Sequence, residues 1–334
     1  MAIMKNILQI GFGPLGIQIA KYLAEKSEAK TIAVVDINKN LIGKSLYEIS
    51  TELSKKVFVY GSVKKVIDQL PQKPDIAIIT TVSSLEKLIP QIEEVAKYGI
   101  PVISTCEELS YPWQLQPTLS KKINNLCVQH NIACLGTGVN PGFLMDYLPS
   151  VMSSVCKDIE QVTIERIQDA TPRRIPFQKK IGAGLNLKAF KEKENQGTLR
   201  HVGLQESIYL LANSLGIQLD QVTEELQPVI SENDIKTKAI QIKTGDARGV
   251  EQIAYGYQNG FCKVKMHFKA AIGEERSYDK ITIKGTPSFS SEIDGGVNGD
   301  IATCAIAINC INSILKAPAG LHTMADIGVP GYIN

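Results

Sequence analysis

The sequence lacks several features that would assign a chain to a class of protein at once. Its seven cysteines form no CxxC pair and its four histidines form no HxxxH or HxH pair, so we expect neither a disulfide framework nor a metal site. Neither charge is in excess, because 36 Lys and Arg stand against 34 Asp and Glu. Nucleic-acid binding needs a concentrated basic surface, and we expect no such partner.

Long hydrophobic runs are also missing. The N-terminal segment lacks the extended apolar core and the cleavage site of a signal peptide. The most apolar stretch, residues 301–315, contains Asn309 and Asn312 and is too short to span a bilayer. The chain has 334 residues, enough for about two domains and for a full core without metal or disulfide staples. We therefore expect a reduced, cytoplasmic protein that binds no membrane.

The first 136 residues alternate between two patterns. Apolar residues recur at helical spacing over residues 14–26, 84–98 and 118–130. Between these helices lie short, nearly continuous apolar runs, which are typical of parallel strands buried on both faces. The runs cover residues 5–10, 31–35, 57–60, 75–79, 102–104 and 132–135. This alternation predicts an α/β fold whose N-terminal part is a doubly wound parallel sheet of the Rossmann type.

The pattern changes after Gly136. Residues 143–156 and 201–215 predict helices, whereas residues 261–270 alternate between apolar and basic side chains and residues 280–284 continue that theme. Such alternation is typical of an antiparallel or mixed sheet with one open face. We expect three segments: residues 1–140 form the Rossmann domain, residues 141–298 a second α+β domain, and residues 299–334 a C-terminal helix and tail that return to the first domain.

A glycine motif follows the first predicted strand. The run Gly11-Phe12-Gly13-Pro14-Leu15-Gly16 has the spacing GxGxxG and opens a predicted helix, which is the context that the motif requires. The first glycine permits a tight turn, the second lets a pyrophosphate approach the backbone, and the third lets helix and strand pack closely. The helix N-terminus then offers N–H groups to the phosphates. The loop therefore predicts a dinucleotide site.

An acidic residue completes this motif. Asp36 ends the second strand, twenty residues after the last glycine, where a carboxylate can bind the hydroxyls of an adenosine ribose. A 2′-phosphate would meet a like charge there, which favours NAD, but Asn38 and Lys39 follow and the lysine could hold that phosphate. NAD and NADP both stay open, with NAD preferred. Thr80 and Thr81, after the fourth strand, are expected to line the cofactor's path.

Candidate chemistry follows the fifth and sixth strands, near which the nicotinamide should lie. Ser104 and Thr105 are expected beside the cofactor, and they precede two adjacent carboxylates, Glu107 and Glu108. One of these could act as a general base, or both could simply occupy the first turn of a helix. After strand six, Asn140 lies in a glycine-rich turn, where it could bind the cofactor's carboxamide or the substrate; the turn could equally be a linker.

The second domain contains a basic segment that could bind a substrate carboxylate. Residues 169–184 include Arg173 and Arg174, which suit bidentate binding of a carboxylate, although a solvated loop explains the same residues. His267 is a further substrate candidate. Taken alone, His201 and His267 are better interpreted as structural.

Several of these segments resemble the 2,4-diaminopentanoate dehydrogenases and the related native amine dehydrogenases, a family similar to dihydrodipicolinate reductase. The resemblance extends over nearly the whole chain, although Thr171 stands where a serine is expected. It rests chiefly on Ile103-Ser104-Thr105-Cys106-Glu107-Glu108-Leu109-Ser110-Tyr111-Pro112-Trp113 and Gly136-Thr137-Gly138-Val139-Asn140-Pro141-Gly142-Phe143. Residues 168–184, 201–207 and 318–321 match as well.

The resemblance implies NAD(P)-dependent oxidative deamination of a small amine or diamino acid to a ketone and ammonia, reversible as reductive amination. It implies that a glutamate of the pair, with Glu108 favoured over Glu107, lies in the amine pocket, and that the second-domain sheet forms a homodimer. Two alternatives remain. A dihydrodipicolinate-type imine reductase would carry a His-rich motif that is missing here. A non-catalytic NAD(P)-binding regulatory protein would not need the acidic pair.

Overall fold

The computed structural model describes residues 4–197, 199, 202–237 and 240–334. His201, at which one predicted helix begins, lies outside the described residues. The chain divides into two compact units, one formed by Met1–Phe143 with Gly299–Asn334 and the other by Leu144–Asn298. In the part of the chain that the structure describes, the helices are all too short or too polar to cross a membrane.

The strands and helices are numbered in chain order. The strands are β1 (Lys5–Ile10), β2 (Ala29–Val35), β3 (Val59–Tyr60), β4 (Ile76–Ile79), β5 (Val102–Ser104), β6 (Ala133–Gly136), β7 (Asp158–Asp169), β8 (Gln221–Ile230), β9 (Ile235–Lys236), β10 (Gln241–Ile242), β11 (Ala247–Gln258), β12 (Phe261–Ala271), β13 (Tyr278–Thr286), β14 (Phe289–Asp294) and β15 (Gly320–His322). The helices are α1 (Pro14–Ala24), α2 (Leu46–Ile49), α3 (Val63–Gln69), α4 (Leu85–Ala96), α5 (Pro117–Gln129), α6 (Tyr147–Ser153), α7 (Ile175–Lys180), α8 (Leu187–Asn195), α9 (Leu204–Ser214), α10 (Gly299–Asn309) and α11 (Ile311–Ile314), and Glu107–Leu109 form a 3-10 turn.

The first unit contains a seven-stranded sheet with the order β15-β6-β5-β4-β1-β2-β3, and all its neighbouring strands are parallel. The direction in which successive strands are added reverses at β1, which has β2 on one side and β4 on the other. The carboxyl ends of β1 and β4 therefore form a topological switch point, where ligands bind in open α/β sheets. All four residues of β4 are apolar and buried, and every residue of β1 after Lys5 is buried, because both faces of these central strands are covered.

One polar side chain in this core connects three elements. Gln9 on β1 is 1% exposed; its Nε2 donates to the carbonyl oxygen of Gly16 at 2.9 Å, and its Oε1 accepts from Thr31 Oγ1 at 2.9 Å. Both ends of the amide are thus satisfied, as a buried polar group requires. Gln9 ties β1 to β2 and to the first turn of α1.

The second unit is built on a six-stranded mixed sheet with the order β14-β13-β7-β12-β11-β8, in which β7 and β12 are parallel and the other pairs antiparallel. One face is core: Val264, Met266 and Phe268 of β12 are buried, and α9 packs against β11 and β12. The alternate residues of β12, such as Lys265 and His267, are half-exposed. The predicted fold class, a parallel Rossmann-type sheet with a second unit on a mixed sheet, is confirmed.

Three predicted elements differ from the structure. Helix α6 occupies only part of residues 143–156. Residues 169–184 are not a continuous loop, because α7 forms within them; Pro176 stands in its first turn, where the missing N–H of a proline leaves no hydrogen bond unmade. The C-terminal helix predicted to begin at residue 299 is broken at Cys310 into α10 and α11.

A buried ion pair connects neighbouring strands of the second sheet. Arg166 on β7 pairs with Asp279 on β13, and both are less than a tenth exposed. Arg166 Nη2 and Gln168 Nε2 donate to the carbonyl oxygen of Val297 at 3.0 and 2.9 Å, and Asp279 Oδ2 accepts from the Val297 N–H at 2.7 Å. Burial lowers the pKa of Arg166, and the Asp279 charge opposes that shift. The ion pair therefore holds the carbonyl oxygen and the N–H of Val297, just before the second unit ends at Asn298.

Loss of either partner should destabilise the protein, because the other charge would stay buried without compensation. We expect Asp279→Asn or Arg166→Met to lower the free energy of unfolding by about 3–5 kcal/mol, measured by urea denaturation. Lys64→Ala is the matched control, since it breaks an exposed i,i+4 pair with Asp68 and should change stability little. Equal losses of unfolding free energy in the control and in the buried variants would contradict a stabilising role of the buried ion pair.

Candidate functional site

The candidate residues of the first unit gather at the carboxyl edge of the parallel sheet, beginning with the turn between β1 and α1. Gly11 has a φ of +93°, and a Cβ there would lie 2.7 Å from Thr81 Cγ2. A Cβ on Gly16 would lie 2.2 Å from the carbonyl oxygen of Gly11. Both positions therefore require glycine for reasons internal to the fold.

Gly13 differs from the other two glycines. Its φ is −75°, and a Cβ on it would have no described atom within 4 Å beyond its chain neighbours. It is the N-cap residue of α1, its helix has no side-chain cap, and Pro14 follows. Packing gives no reason for glycine here, whereas the close approach of a phosphate does. The open space in front of a helix N-terminus fits a dinucleotide pyrophosphate.

Asp36 lies directly beside this loop. Its Oδ2 accepts from the Phe12 N–H at 2.6 Å, and its Oδ1 accepts from the Asn38 N–H at 2.7 Å. The carboxylate is thereby fixed between the glycine turn and its own turn. Ile37, Asn38 and Lys39 are exposed. The structure thus brings together the glycine motif and the acid that the sequence analysis singled out.

The two threonines after β4 have different hydrogen-bond partners. Thr80 Oγ1 donates to the carbonyl oxygen of Gly11 at 3.2 Å, and Thr81 Oγ1 donates to Gln91 Oε1 at 2.8 Å. Thr80 thus holds the glycine turn and Thr81 is bonded to α4, and a direct contact of either with a cofactor stays a prediction.

The segment after β5 is held from within. Ser104 is 1% exposed; its Oγ donates to the carbonyl oxygen of Ile79 at 3.3 Å and accepts from the Cys106 N–H at 3.2 Å. The N–H of Thr105 also donates to Ile79. Burial raises the pKa of the Cys106 thiol well above its ordinary value, and the charge of Glu107 raises it further, so this thiol is a poor nucleophile. Ser104 stabilises the turn that presents the acidic pair.

Glu108 connects the starts of two helices. Its Oε2 accepts from the N–H of Leu85, the first residue of α4, at 2.8 Å and from Nε2 of Gln116, the N-cap of α5, at 2.7 Å. Within the described chain, its Oε1 takes part in no hydrogen bond. The carboxylate does serve helix N-termini, but those of α4 and α5 rather than that of its own turn. A carboxylate oriented through one oxygen can present the other to a substrate.

The loop after β6 is folded tightly against backbone. A Cβ on Gly136 would lie 2.4 Å from the carbonyl carbon of Leu109, and one on Gly142, whose φ is +123°, would lie 2.6 Å from the nitrogen of Gly138. Glycine lets another group approach the backbone closely. At these glycines the approaching group is the protein's own backbone.

Two residues of the C-terminal segment hold this loop, and the sequence analysis missed both. Thr303 Oγ1 accepts from the N–H of Val139 at 3.3 Å, and Thr137 Oγ1 donates to Met324 Sδ at 3.0 Å. The partners are 164 and 187 residues apart in the sequence, so no local pattern could have marked them. Asn140, the ligand candidate of this loop, is 9% exposed. Its contact with a ligand stays a prediction.

The remaining candidates belong to the second unit. Arg173 Nη1 donates to Gln168 Oε1 at 3.0 Å, and its guanidinium lies 4.1 Å from the centroid of the Phe177 ring. Arg174 is exposed and is the N-cap residue of α7. His267 Nε2 lies 2.7 Å from Glu251 Oε1 on the half-exposed face of the sheet. Arg173 and His267 therefore have protein partners, and a role of any of the three toward a substrate stays a prediction.

Similarity to known proteins covers nearly the whole chain. Residues 143–334 match the family described as 2,4-diaminopentanoate dehydrogenase C-terminal domain, and residues 3–108 match the family described as CoA binding domain. The 2,4-diaminopentanoate dehydrogenase of Acetoanaerobium sticklandii is 30% identical over 336 aligned positions, which cover 98% of this chain and 94% of that protein.

Solved structures agree on the fold. The amine dehydrogenase of Mycobacterium smegmatis superposes with a TM-score of 0.86 at 20% identity, covering 98% of this chain and 97% of that one. The scyllo-inositol dehydrogenase of Lactobacillus casei gives a TM-score of 0.60 at 16% identity, covering 98% and 93%. Identities this low show a shared architecture and leave substrates to other arguments.

Proposed function

Because the chain belongs to the 2,4-diaminopentanoate dehydrogenase family and is thus a dehydrogenase, we propose that it catalyses reversible oxidative deamination of a small amine or diamino acid. A CH–NH2 group and water give a ketone and ammonia, and the hydride with its electron pair passes to a nicotinamide cofactor. The observation that carries the proposal is the position of Glu108, oriented by two donors at the sheet edge that also holds the glycine loop. In reverse, the same site would perform reductive amination.

The cofactor in this proposal is NAD in preference to NADP. When bound, the nicotinamide supplies the hydride chemistry. The Gly11–Gly16 loop would hold the pyrophosphate, and Asp36 the hydroxyls of the adenosine ribose. Two backbone N–H groups, of Phe12 and Asn38, fix the Asp36 carboxylate, so it could not easily turn away from a 2′-phosphate. Lys39 is the residue that could reverse this preference.

Removal of the Asp36 charge should shift the cofactor preference. We expect Asp36→Ser to raise the ratio of kcat/KM with NADP to that with NAD by about tenfold or more, because a like-charge repulsion is relieved. Steady-state kinetics with both cofactors measures the ratio. Lys39→Ala is the comparison: if it lowers NADP efficiency sharply while Asp36→Ser leaves the ratio unchanged, the lysine and not the aspartate sets the preference.

We assign proton transfer to Glu108. The ammonium form of the substrate must lose a proton to give the free amine before the hydride can leave its carbon, and a water molecule must lose one to attack the resulting iminium carbon. Glu108 Oε1 can accept the first proton, release it to solvent and then accept the second, while the bonds from Leu85 and Gln116 hold Oε2 in place. Glu107, which is also half-buried, is the alternative.

Glu108→Gln should lower turnover by about 100-fold or more and leave NAD affinity nearly unchanged. The amide oxygen of the new side chain can still accept from Leu85, so the melting temperature should change little. Glu107→Gln is the matched control and should keep most of its turnover. The reverse result would exchange the two roles, and full turnover in both variants would refute acid–base catalysis by this pair.

The substrate in this proposal is a small amine that also carries a carboxylate, as 2,4-diaminopentanoate does. The basic residues Arg173 and Arg174 support this choice, since guanidinium groups bind carboxylates in a bidentate manner. Arg173 already contacts Gln168 and Phe177, so binding through it would require part of that arrangement to shift.

A substrate panel tests the proposed function. It compares 2,4-diaminopentanoate, short alkyl amines, and ketones with ammonia, each with NAD and NADP, by following the reduced cofactor. If an arginine grips the carboxylate, Arg173→Ala or Arg174→Ala should raise the KM of the diamino acid by about 10- to 150-fold and spare alkyl amines. If no substrate of the panel changes either cofactor, an imine reductase or a regulatory NAD(P)-binding protein becomes the better interpretation.

We also propose a homodimer formed through the half-exposed face of the second sheet. Tyr255 and Tyr257 stack there with ring centroids 6.2 Å apart, and Lys265 Nζ lies 5.8 Å from the Tyr255 ring. Tyrosines are enriched in interfaces because they combine a large apolar area with a polar end. Sedimentation velocity distinguishes a dimer from the 36.5 kDa chain.

A further inference from the structure

We infer that Thr303 is a positioning residue, which holds the loop after β6, and with it Asn140, at the carboxyl edge of the parallel sheet. The inference deepens the proposed function and rests on it for its kinetic consequence. Its structural consequence, the ordering of the loop after β6, can be measured without an activity assay.

Helix α10 contacts both α1 and the loop after β6. It packs against α1, and Cys304 Sγ lies 3.8 Å from the carbonyl oxygen of Leu15 in the first turn of α1. The preceding residue, Thr303, accepts the N–H of Val139 on its Oγ1 at 3.3 Å. Two consecutive side chains of α10 therefore reach the glycine motif and the loop after β6.

The loop would transmit a shift at Val139 directly to Asn140. It closes on itself, because a Cβ on Gly138 would lie 3.0 Å from the carbonyl oxygen of Pro141. Val139 is 6% exposed, so its N–H has little access to water if the threonine is removed. A buried N–H without an acceptor is unfavourable, and the backbone must then move to find another partner.

Thr303→Val tests the inference because it keeps the shape of the side chain and removes the acceptor oxygen, whereas Thr303→Ser keeps the oxygen. In the valine variant we expect faster hydrogen–deuterium exchange in peptides that span residues 136–143, with residues 5–10 as the internal reference. At saturating substrates turnover should fall about 2- to 10-fold. The dissociation constant of NAD should change by less than about twofold, because the Gly11–Gly16 loop sets it in the proposed mode of binding.

The serine variant should restore both the exchange rate and the turnover, which a loss of packing alone would not predict. Thr303→Ala serves if the valine variant does not fold. Unchanged exchange and turnover in Thr303→Val, or a serine variant that behaves like the valine variant, would overturn the inference. If the wild-type enzyme shows no amine-dependent turnover, the proposed function fails, and the exchange measurement still decides whether Thr303 holds the loop.

Discussion

The contact between α1 and the turn after β1 is the constraint on which the site depends. Helix and turn approach so closely that a Cβ on Gly16 would lie 2.2 Å from the carbonyl oxygen of Gly11. Gln9 strengthens the contact from inside the sheet by donating to Gly16. This packing directs the N-terminus of α1 at the switch point of the sheet. It also brings the Phe12 N–H within hydrogen-bond distance of Asp36, so that the glycine loop is bonded directly to this carboxylate.

Features with local causes could be predicted from the sequence. The glycine spacing, the strand before it and the acid after the next strand lie within 32 residues, from Lys5 to Asp36, and each reports directly on backbone geometry. The parallel sheet follows from apolar runs that alternate with helical periodicity. The predicted resemblance to the 2,4-diaminopentanoate dehydrogenases is confirmed for the same reason, because family motifs are themselves local.

Features with distant causes could not be predicted. The sequence offered two interpretations of Glu108, and the structure adds a third, because Leu85 and Gln116 come from helices that start before and after it. Thr303 and Met324 belong to a segment whose apolar composition predicts only a packed helix and tail. The sequence predicts a loop over residues 169–184, yet Pro176 in this segment occupies a first helical turn, where proline is tolerated.

In the proposed mode of dinucleotide binding, Gly13 is needed for ligand affinity and not for folding. The ligand-free protein can accommodate a side chain at this position, since no described atom lies within 4 Å of a Cβ added to Gly13. A ligand that binds only the folded state adds a free energy that grows with the logarithm of its concentration. If the dinucleotide binds as proposed, a bulky residue at this position would leave the purified, ligand-free protein intact and abolish only that added stabilisation. In a cell, the lifetime of such a variant would differ from that of the wild-type protein, and the difference would depend on the dinucleotide concentration.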